Sequence, residues 1–192
     1  MIDTVNGDMW SYWGVADAVC ITTNGFVTAR GENVMGAGNA KQAKDKFPGI
    51  ALHYGRGIQR NGHCVQIIPG TQGQLGAAKQ TCLVGFPTKP SSFRISQMID
   101  LSSVLPSYRD NFRVGSSVPG WMCFSSKQLI EKSCAELKGL ADREQWTKIV
   151  LPFPGCGNGG LSVSDVMPIL KRYFDDRFII VSASQRTFGK WE

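Results

Sequence analysis

The sequence predicts an α/β fold in three layers, in which a mixed sheet lies between helices on both faces. Three observations predict it. Short apolar runs alternate along the chain with segments of helical periodicity. The 192 residues are enough for one domain with a substantial core. A content of 42% hydrophobic and 19% charged residues is ordinary for a globular protein.

Six short apolar runs predict the strands, at residues 1–5, 16–22, 64–68, 82–86, 149–153 and 178–183. Helical spacing predicts three helices. The first follows Gly38, the second spans residues 129–140 and the third spans residues 166–174. Asp165 would cap the third helix, which places Pro168 in its first turn, where a missing N–H costs little.

The segment 90–126 departs from this alternation. Four prolines lie between residues 87 and 126, together with many serines and the aromatic residues Phe93, Tyr108, Phe112, Trp121 and Phe124. So many aromatic residues predict an ordered insertion packed on the sheet rather than a linker. Either a lid or a passive cover over one sheet edge fits this composition.

The net charge of +6 favours an anionic partner, either a phosphate-bearing small molecule or nucleic acid. No C-x-x-C pair occurs and there are two histidines, so no metal and no cofactor are expected. The longest uncharged stretch, residues 61–78, is rich in Gln and Gly, and the amino end lacks a signal sequence. A cytoplasmic protein with no membrane partner is expected.

Two glycine-rich loops follow predicted strands, at residues 34–39 and 154–161. Glycines let backbone N–H groups approach a ligand closely, and each loop leads into a helix whose amino end suits phosphate. Side by side, two such loops would hold a diphosphate. Turn geometry alone also uses glycine, and that alternative stays open. Neither loop has the spacing of a nucleotide-hydrolysing P-loop.

In order and spacing these segments resemble a macrodomain, the α/β/α module that binds ADP-ribose. The matching pieces are Gly7-Asp8, residues 16–19 with Asn24, residues 35–38 and residues 155–161. The resemblance covers most of the chain and implies a single macrodomain over 1–192 with an unmatched insertion at 90–126. Residues 35–47 are most similar to the branch with the terminal ADP-ribose glycohydrolase and the antitoxins that remove ADP-ribose from DNA. Small phage and bacterial macrodomain proteins share these features.

The resemblance implies roles for individual residues. Asp8, with the Met9 backbone, would bind adenine; the loop around Gly36 would contact the distal ribose and a phosphate; the second loop would wrap the diphosphate. The implied ligand-binding set is Asp8, Met9, Asn24, Met35, Gly36, Ala37, Gly38, Gly155, Cys156, Gly157, Asn158, Gly159, Gly160 and Leu161. Cys156 is expected to be a packing residue rather than a nucleophile.

The implied catalytic residues are Lys89, at the anomeric carbon, and Asn24, which would reach the distal ribose hydroxyls. A lysine acts as a nucleophile only if desolvation or a nearby cation lowers its pKa. Otherwise Lys89 is a fixed charge against phosphate, or a solvated surface lysine.

Two positions depart from the family pattern. Gly159 stands where the glycohydrolase has a second catalytic aspartate, and a side chain there is expected to enter the phosphate path. The usual adenine-stacking aromatic residue is missing from residues 182–184, and Phe188 or Trp191 would have to replace it.

The sequence therefore predicts a chain that binds ADP-ribose and hydrolyses it from a modified nucleobase, protein or small molecule. A non-catalytic ADP-ribose-binding module and an ADP-ribose 1''-phosphate phosphatase are alternatives. A basic nucleic-acid-binding protein is a further one, and the insertion residues that would suit it are Arg94, Arg109 and Arg113 with Tyr108 and Phe112.

Overall fold

The computed structural model describes residues 2–71 and 80–182. A six-stranded sheet lies between two helical layers, and its strand order is first, eighth, seventh, second, fourth and third along the chain. The strands are β1 (Asp3–Asn6), β2 (Ala18–Asn24), β3 (Gln66–Ile67), β4 (Cys82–Lys89), β5 (Ser92–Arg94), β6 (Ser117–Pro119), β7 (Ile149–Pro152) and β8 (Phe178–Ser182). The helices are α1 (Gly38–Lys46), α2 (Ile50–Asn61), α3 (Pro106–Arg109), α4 (Lys127–Arg143) and α5 (Val163–Tyr173).

The sheet is mixed, which confirms the predicted three-layer α/β fold. Its pairs are parallel except for β3, which runs antiparallel to β4 at the edge. Side chains alternate between two cores: Ala18 and Cys20 of β2 pack beneath α4 and α5, and Val19 and Ile21 pack beneath α1 and α2. Within residues 2–71 and 80–182, no helix is long and apolar enough to cross a membrane.

The sheet opens at the carboxyl ends of two central strands. β2 pairs with β4 along its length but with β7 only at Ala18 and Val19. Beyond that point a side chain of α1 replaces the missing strand, because Asn39 Oδ1 accepts the Thr22 N–H at 2.9 Å. Open α/β sheets bind ligands in crevices of this kind.

The helix α2 was not among the predicted helices. Gly55 and Gly57 weaken its helical pattern, yet packing against backbone requires the glycine at 55, and the glycine at 57 lies close to a side chain of β3. A Cβ on Gly55 would overlap the carbonyl oxygen of Gly31, and one on Gly57 would lie 2.5 Å from Gln66 Oε1. Close approach of a loop and a strand therefore explains residues that local propensity disfavours.

The predicted start of the third helix is wrong. Ser162, not Asp165, is the N-cap of α5, and the Asp165 carboxylate accepts the Ser162 N–H in a capping box. Pro168 consequently lies inside the helix rather than in its first turn. The reciprocal Ser-x-x-Asp pair satisfies two free N–H groups, which a single Asp cap does not.

Replacing Ser162 by alanine is expected to lower the free energy of unfolding by about 1 kcal/mol, because the Asp165 N–H loses its hydroxyl acceptor and keeps only the Ser162 carbonyl. Urea unfolding followed by circular dichroism measures the change. Ser162→Thr keeps the hydroxyl and serves as the control. Equal stability of Ser162→Ala and wild type would show that the capping box contributes nothing.

The segment 90–126 has a small core of its own. β5 and β6 pair antiparallel, and Ile95, Val104, Val118 and Cys123 are buried together. The Ser126 N–H donates to the Thr88 carbonyl at 2.9 Å, which returns the chain to the end of β4. The segment is therefore held against the carboxyl end of the sheet.

Candidate ligand-binding site

A cavity of about 530 Å³ lies at the carboxyl ends of β2 and β4, within the size range of small-molecule sites. Its walls are the end of β2, the loop before α1, the end of β4, the loop after β7 and the segment 90–126. Nine residues of the predicted site line it: Asn24, Gly36, Ala37, Gly38, Lys89, Gly155, Cys156, Asn158 and Gly159.

The loop before α1 presents backbone to the cavity. Gly36, Ala37 and Gly38 are exposed on its wall, and no atom lies within 4 Å of a Cβ placed on Gly36. Ala37 is the N-cap of α1 and supplies no side-chain hydrogen bond to the first turn. The N–H groups at this helix end therefore have no side-chain cap, an arrangement that suits an anion.

The loop after β7 presents three consecutive N–H groups. In the described part of the chain, those of Gly157, Asn158 and Gly159 donate to no protein acceptor. Gly157 has a φ of +82°, which glycine adopts without strain. The two loops are adjacent, since Asn158 Nδ2 lies 3.4 Å from a Cβ placed on Gly38. Successive free N–H groups form a concave anion-binding surface.

Gly159 is required by the loop itself, which corrects the expectation from the sequence. A side chain there would not enter the phosphate path, because its Cβ would overlap the Gly155 carbonyl oxygen and Ser125 Oγ. Ser125 lies behind the loop and its N–H donates to the Gly159 carbonyl at 2.9 Å. A carboxylate at position 159 is incompatible with this packing.

Lys89 is a half-buried lysine at the cavity wall rather than a solvated one. Its Nζ donates to the Trp121 carbonyl at 3.2 Å, and among the described residues it forms no ion pair. Burial lowers the pKa of Lys89, with Cys123 opposing the shift. The lysine therefore meets the physical condition for an amine that loses its proton more easily than usual.

Asn24 lies beside Lys89, because the two residues are paired in register across β2 and β4. Asn24 is 7% exposed. Its Nδ2 donates to the Val34 carbonyl at 2.8 Å, and its Oδ1 accepts the Phe26 N–H at 2.9 Å. The amide thus holds the loop that leads to Gly36 at the cavity wall.

Cys156 is a packing residue in this site. It lines the cavity half-buried, and burial raises its pKa to about 11. The thiol therefore stays protonated near neutral pH and is a poor nucleophile. Among the described residues, no group of His, Cys, Asp and Glu side chains is arranged to hold a metal ion.

Six residues of the predicted binding set do not line the cavity. Asp8 caps the 3-10 helix Met9–Tyr12, where its Oδ1 accepts the Trp10 N–H at 3.0 Å. Met9 and Met35 are buried in the core beneath α1 and α2. The other three are Gly157, Gly160 and Leu161. Phe188 and Trp191, considered for adenine stacking, lie outside the described residues.

The cavity also contains residues that sequence reasoning did not assign to it. From the segment 90–126 come Leu105, Ser107, Tyr108 and Trp121, and the Tyr108 and Trp121 rings meet edge-on at 5.4 Å. The many aromatic residues of this segment predicted that it is ordered, but they did not predict that it lines the cavity. Threonines 22, 23 and 88, with Asn39 and Ser125, complete the polar lining.

Fold and cavity together define a three-layer α/β/α module with a crevice between two glycine-rich loops. No protein-family model matches the chain, and no curated protein matches its sequence. Solved structures do match. The macrodomain of Mycobacterium tuberculosis DarG is 20% identical with a TM-score of 0.64, covering 96% of this chain and 99% of that one.

Two further structures are similar. Thermosipho africanus DarTG in complex with ADP-ribose is 19% identical with a TM-score of 0.65, over 94% of this chain and 42% of that one. The Oceanobacillus iheyensis macrodomain with ADP is 14% identical with a TM-score of 0.58, over 96% and 84% of the two chains. This chain therefore has the macrodomain fold.

Proposed function

We propose that this chain binds ADP-ribose in the cavity and hydrolyses it from a modified nucleobase, protein or small molecule. The observation that carries the binding proposal is the adjacency of two glycine-rich loops with free N–H groups at one rim of the sheet. Thermosipho africanus DarTG, which is similar in fold, was solved with ADP-ribose. A diphosphate between the loops would meet both sets of N–H groups.

The distal ribose would then lie towards Asn24 and Lys89, at the ends of the paired strands β2 and β4. The leaving group would face the wall that Tyr108 and Trp121 provide, because Lys89 is hydrogen-bonded to that wall through the Trp121 carbonyl. Adenine would lie towards Asp8, at the ends of β1 and β8. Cleavage would break the bond between the anomeric carbon and the leaving group. Water would supply a hydroxyl to the anomeric carbon and a proton to the leaving group, with Lys89 acting at the anomeric carbon.

A binding module without turnover is the second candidate, and one observation favours it. Among the described residues that line the cavity there is no Asp or Glu. Glycosidic hydrolysis ordinarily uses a carboxylate as base or nucleophile. In this candidate Lys89 would act only as a fixed positive charge against the ligand.

ADP-ribose at 100 times its Kd is expected to raise the melting temperature by about 5–10 °C. Saturation of this kind stabilises a fold by about 2.7 kcal/mol, and each kcal/mol raises the melting temperature of a chain this size by about 2–4 °C. AMP lacks the second phosphate and the distal ribose, so it should raise the melting temperature much less. An unchanged melting temperature at millimolar ADP-ribose would contradict the proposed function.

A further inference from the structure

The positive charge of the chain is concentrated on one helical layer. Residues 26–63, which include α1 and α2, contain six Lys or Arg residues and two acidic ones, a net charge of +4. Residues 127–177, which include α4 and α5, contain eight Lys or Arg residues and seven acidic ones, a net charge of +1. Two thirds of the +6 net charge therefore lies in residues 26–63.

The layer of α1 and α2 also has fewer ion-paired cations than the layer of α4 and α5. On the α4 and α5 side most cations contact carboxylates, for example Lys127 with Asp165 at 3.2 Å and Arg177 with Asp175 at 2.8 Å. Within the described residues, the other layer has a single ion pair, Lys41 with Asp45. Five cations of this layer form no ion pair with any described residue: Arg30, Lys44, Lys46, Arg56 and Arg60.

These cations are exposed, and Lys46 also lies over the Trp10 ring at 5.5 Å. Arg56 and Arg60 lie one turn apart on α2, and Lys44 lies on the exposed side of α1. Among the described residues, the large exposed apolar side chains are Val15, Met98, Ile99 and Val114, none of which belongs to α1 or α2. A surface without apolar anchors does not suit insertion into a membrane interface.

The α1–α2 face is the exposed surface of these two helices and the preceding loop, with Arg30, Lys44, Lys46, Arg56 and Arg60. We propose that it binds the phosphate backbone of a nucleic acid. Uncompensated Lys and Arg side chains gain affinity for such a backbone by releasing its condensed counterions, and neighbouring amides such as Gln59 and Asn61 are ordinary phosphate donors. The face is continuous with the cavity, since α1 begins at Gly38 on the cavity wall. A nucleic acid on this face would thus pass beside the crevice.

The arginines of the segment 90–126 are less suited to this role. Arg109 Nη2 donates to the Val104 carbonyl at 3.2 Å, and Arg109 Nε is buried. Arg94 and Arg113 are accompanied by Asp100 and Asp110, so the segment has a net charge of only +1. We therefore propose the α1–α2 face, rather than the arginines of the segment 90–126, as the surface that binds nucleic acid.

The test measures binding of unmodified, fluorescently labelled 20-mers of single-stranded DNA, duplex DNA and single-stranded RNA by anisotropy between 20 and 200 mM salt. The variant is Arg56→Glu/Arg60→Glu. The control, Arg143→Glu/Lys171→Glu, changes the charge equally at two exposed cations of the opposite layer that form no ion pair with described residues. Circular dichroism checks that both variants fold.

Wild type should bind at least one of the oligonucleotides at low salt and lose affinity steeply as salt rises. Arg56→Glu/Arg60→Glu should bind at least 10-fold more weakly, with a salt slope reduced by about 2, one for each lost phosphate contact. The control should stay within about threefold of wild type. Because the probes carry no ADP-ribose, these outcomes are independent of the proposed function.

Three outcomes would overturn the inference: no binding by wild type at 20 mM salt, equal weakening in the control pair, or unchanged binding by Arg56→Glu/Arg60→Glu. Vesicles with 30% phosphatidylserine form a fourth arm. Binding of wild type to these vesicles but not to the oligonucleotides would assign the face to a membrane surface instead. The ADP-ribose-induced rise in melting temperature should be the same in both variants and wild type, since neither pair lines the cavity.

Discussion

Gly36→Glu is expected to abolish the rise in melting temperature that ADP-ribose produces. Gly36 lines the cavity and a Cβ there meets no atom within 4 Å, so the fold accommodates the new side chain. Its carboxylate would stand where a phosphate is proposed to bind. Two like charges about 4 Å apart repel by about 4 kcal/mol at an effective dielectric constant of 20, which weakens binding by about a thousandfold.

The unliganded variant should be as stable as wild type, since a carboxylate near the amino end of α1 interacts favourably with the helix dipole. The matched control is Gly139→Glu on α4, where a Cβ would have only Arg143 Nη1 nearby, at 3.6 Å. It adds the same charge far from the cavity and should keep the full shift. A normal shift in Gly36→Glu, measured by thermal denaturation, would show that the ligand binds elsewhere.

A substitution at Gly36 tests ligand binding more directly than one at Gly159. A glutamate at 159 would disturb the loop by overlap with Gly155 and Ser125, so its effect would not report on the ligand. A glutamate at Gly36 is expected to change ligand binding and to leave the stability of the unliganded fold unchanged.

Lys89→Ala is expected to lose at least 100-fold in the rate of ADP-ribose release while it keeps ADP-ribose binding. Acid–base and nucleophilic groups typically contribute factors of 10²–10⁴ to a rate. The measurement is release of ADP-ribose from a panel of ADP-ribosylated nucleic acids and proteins. Lys171→Ala, an exposed lysine of α5, is the control and should match wild type. Turnover at the original rate in Lys89→Ala would remove this residue from the mechanism.

The pH profile separates the two roles of Lys89. Burial lowers the pKa of its ammonium group, so the neutral amine forms at lower pH than in a solvated lysine. If the amine is the nucleophile, the rate rises as pH passes upward through this lowered pKa. If the ammonium acts as a fixed charge, the rate falls over the same range, and Lys89→Arg retains activity because a guanidinium stays charged.

A wild-type chain that binds ADP-ribose but releases none from any member of the panel would establish the binding module instead. The described residues that line the cavity include no Asp or Glu, which agrees with that outcome. In that case Lys89→Ala should weaken binding modestly, since the lost interaction is a single half-buried charge.

The sequence by itself determined the layer architecture and the two loops. Both depend on local signals: apolar runs for strands such as β2 and β7, a period of 3.6 for α4, and glycines clustered directly after strands. Parallel strands bring their carboxyl ends to one edge, so the loops at Gly36 and Gly157 could be expected to lie near each other.

Tertiary structure alone decided the features that depend on distant neighbours. Position 55 is glycine, although it lies in a helix, because a loop carbonyl lies where a side chain would be. Position 159 is glycine because Ser125 and the Gly155 carbonyl lie behind it. Lys89 is half-buried because the Trp121 carbonyl, 32 residues away, reaches its Nζ. The periodicity of a sequence predicts which face of a helix or strand is buried. It does not predict which distant residues pack against that face, and these residues determine the burial of a side chain and the space left for it.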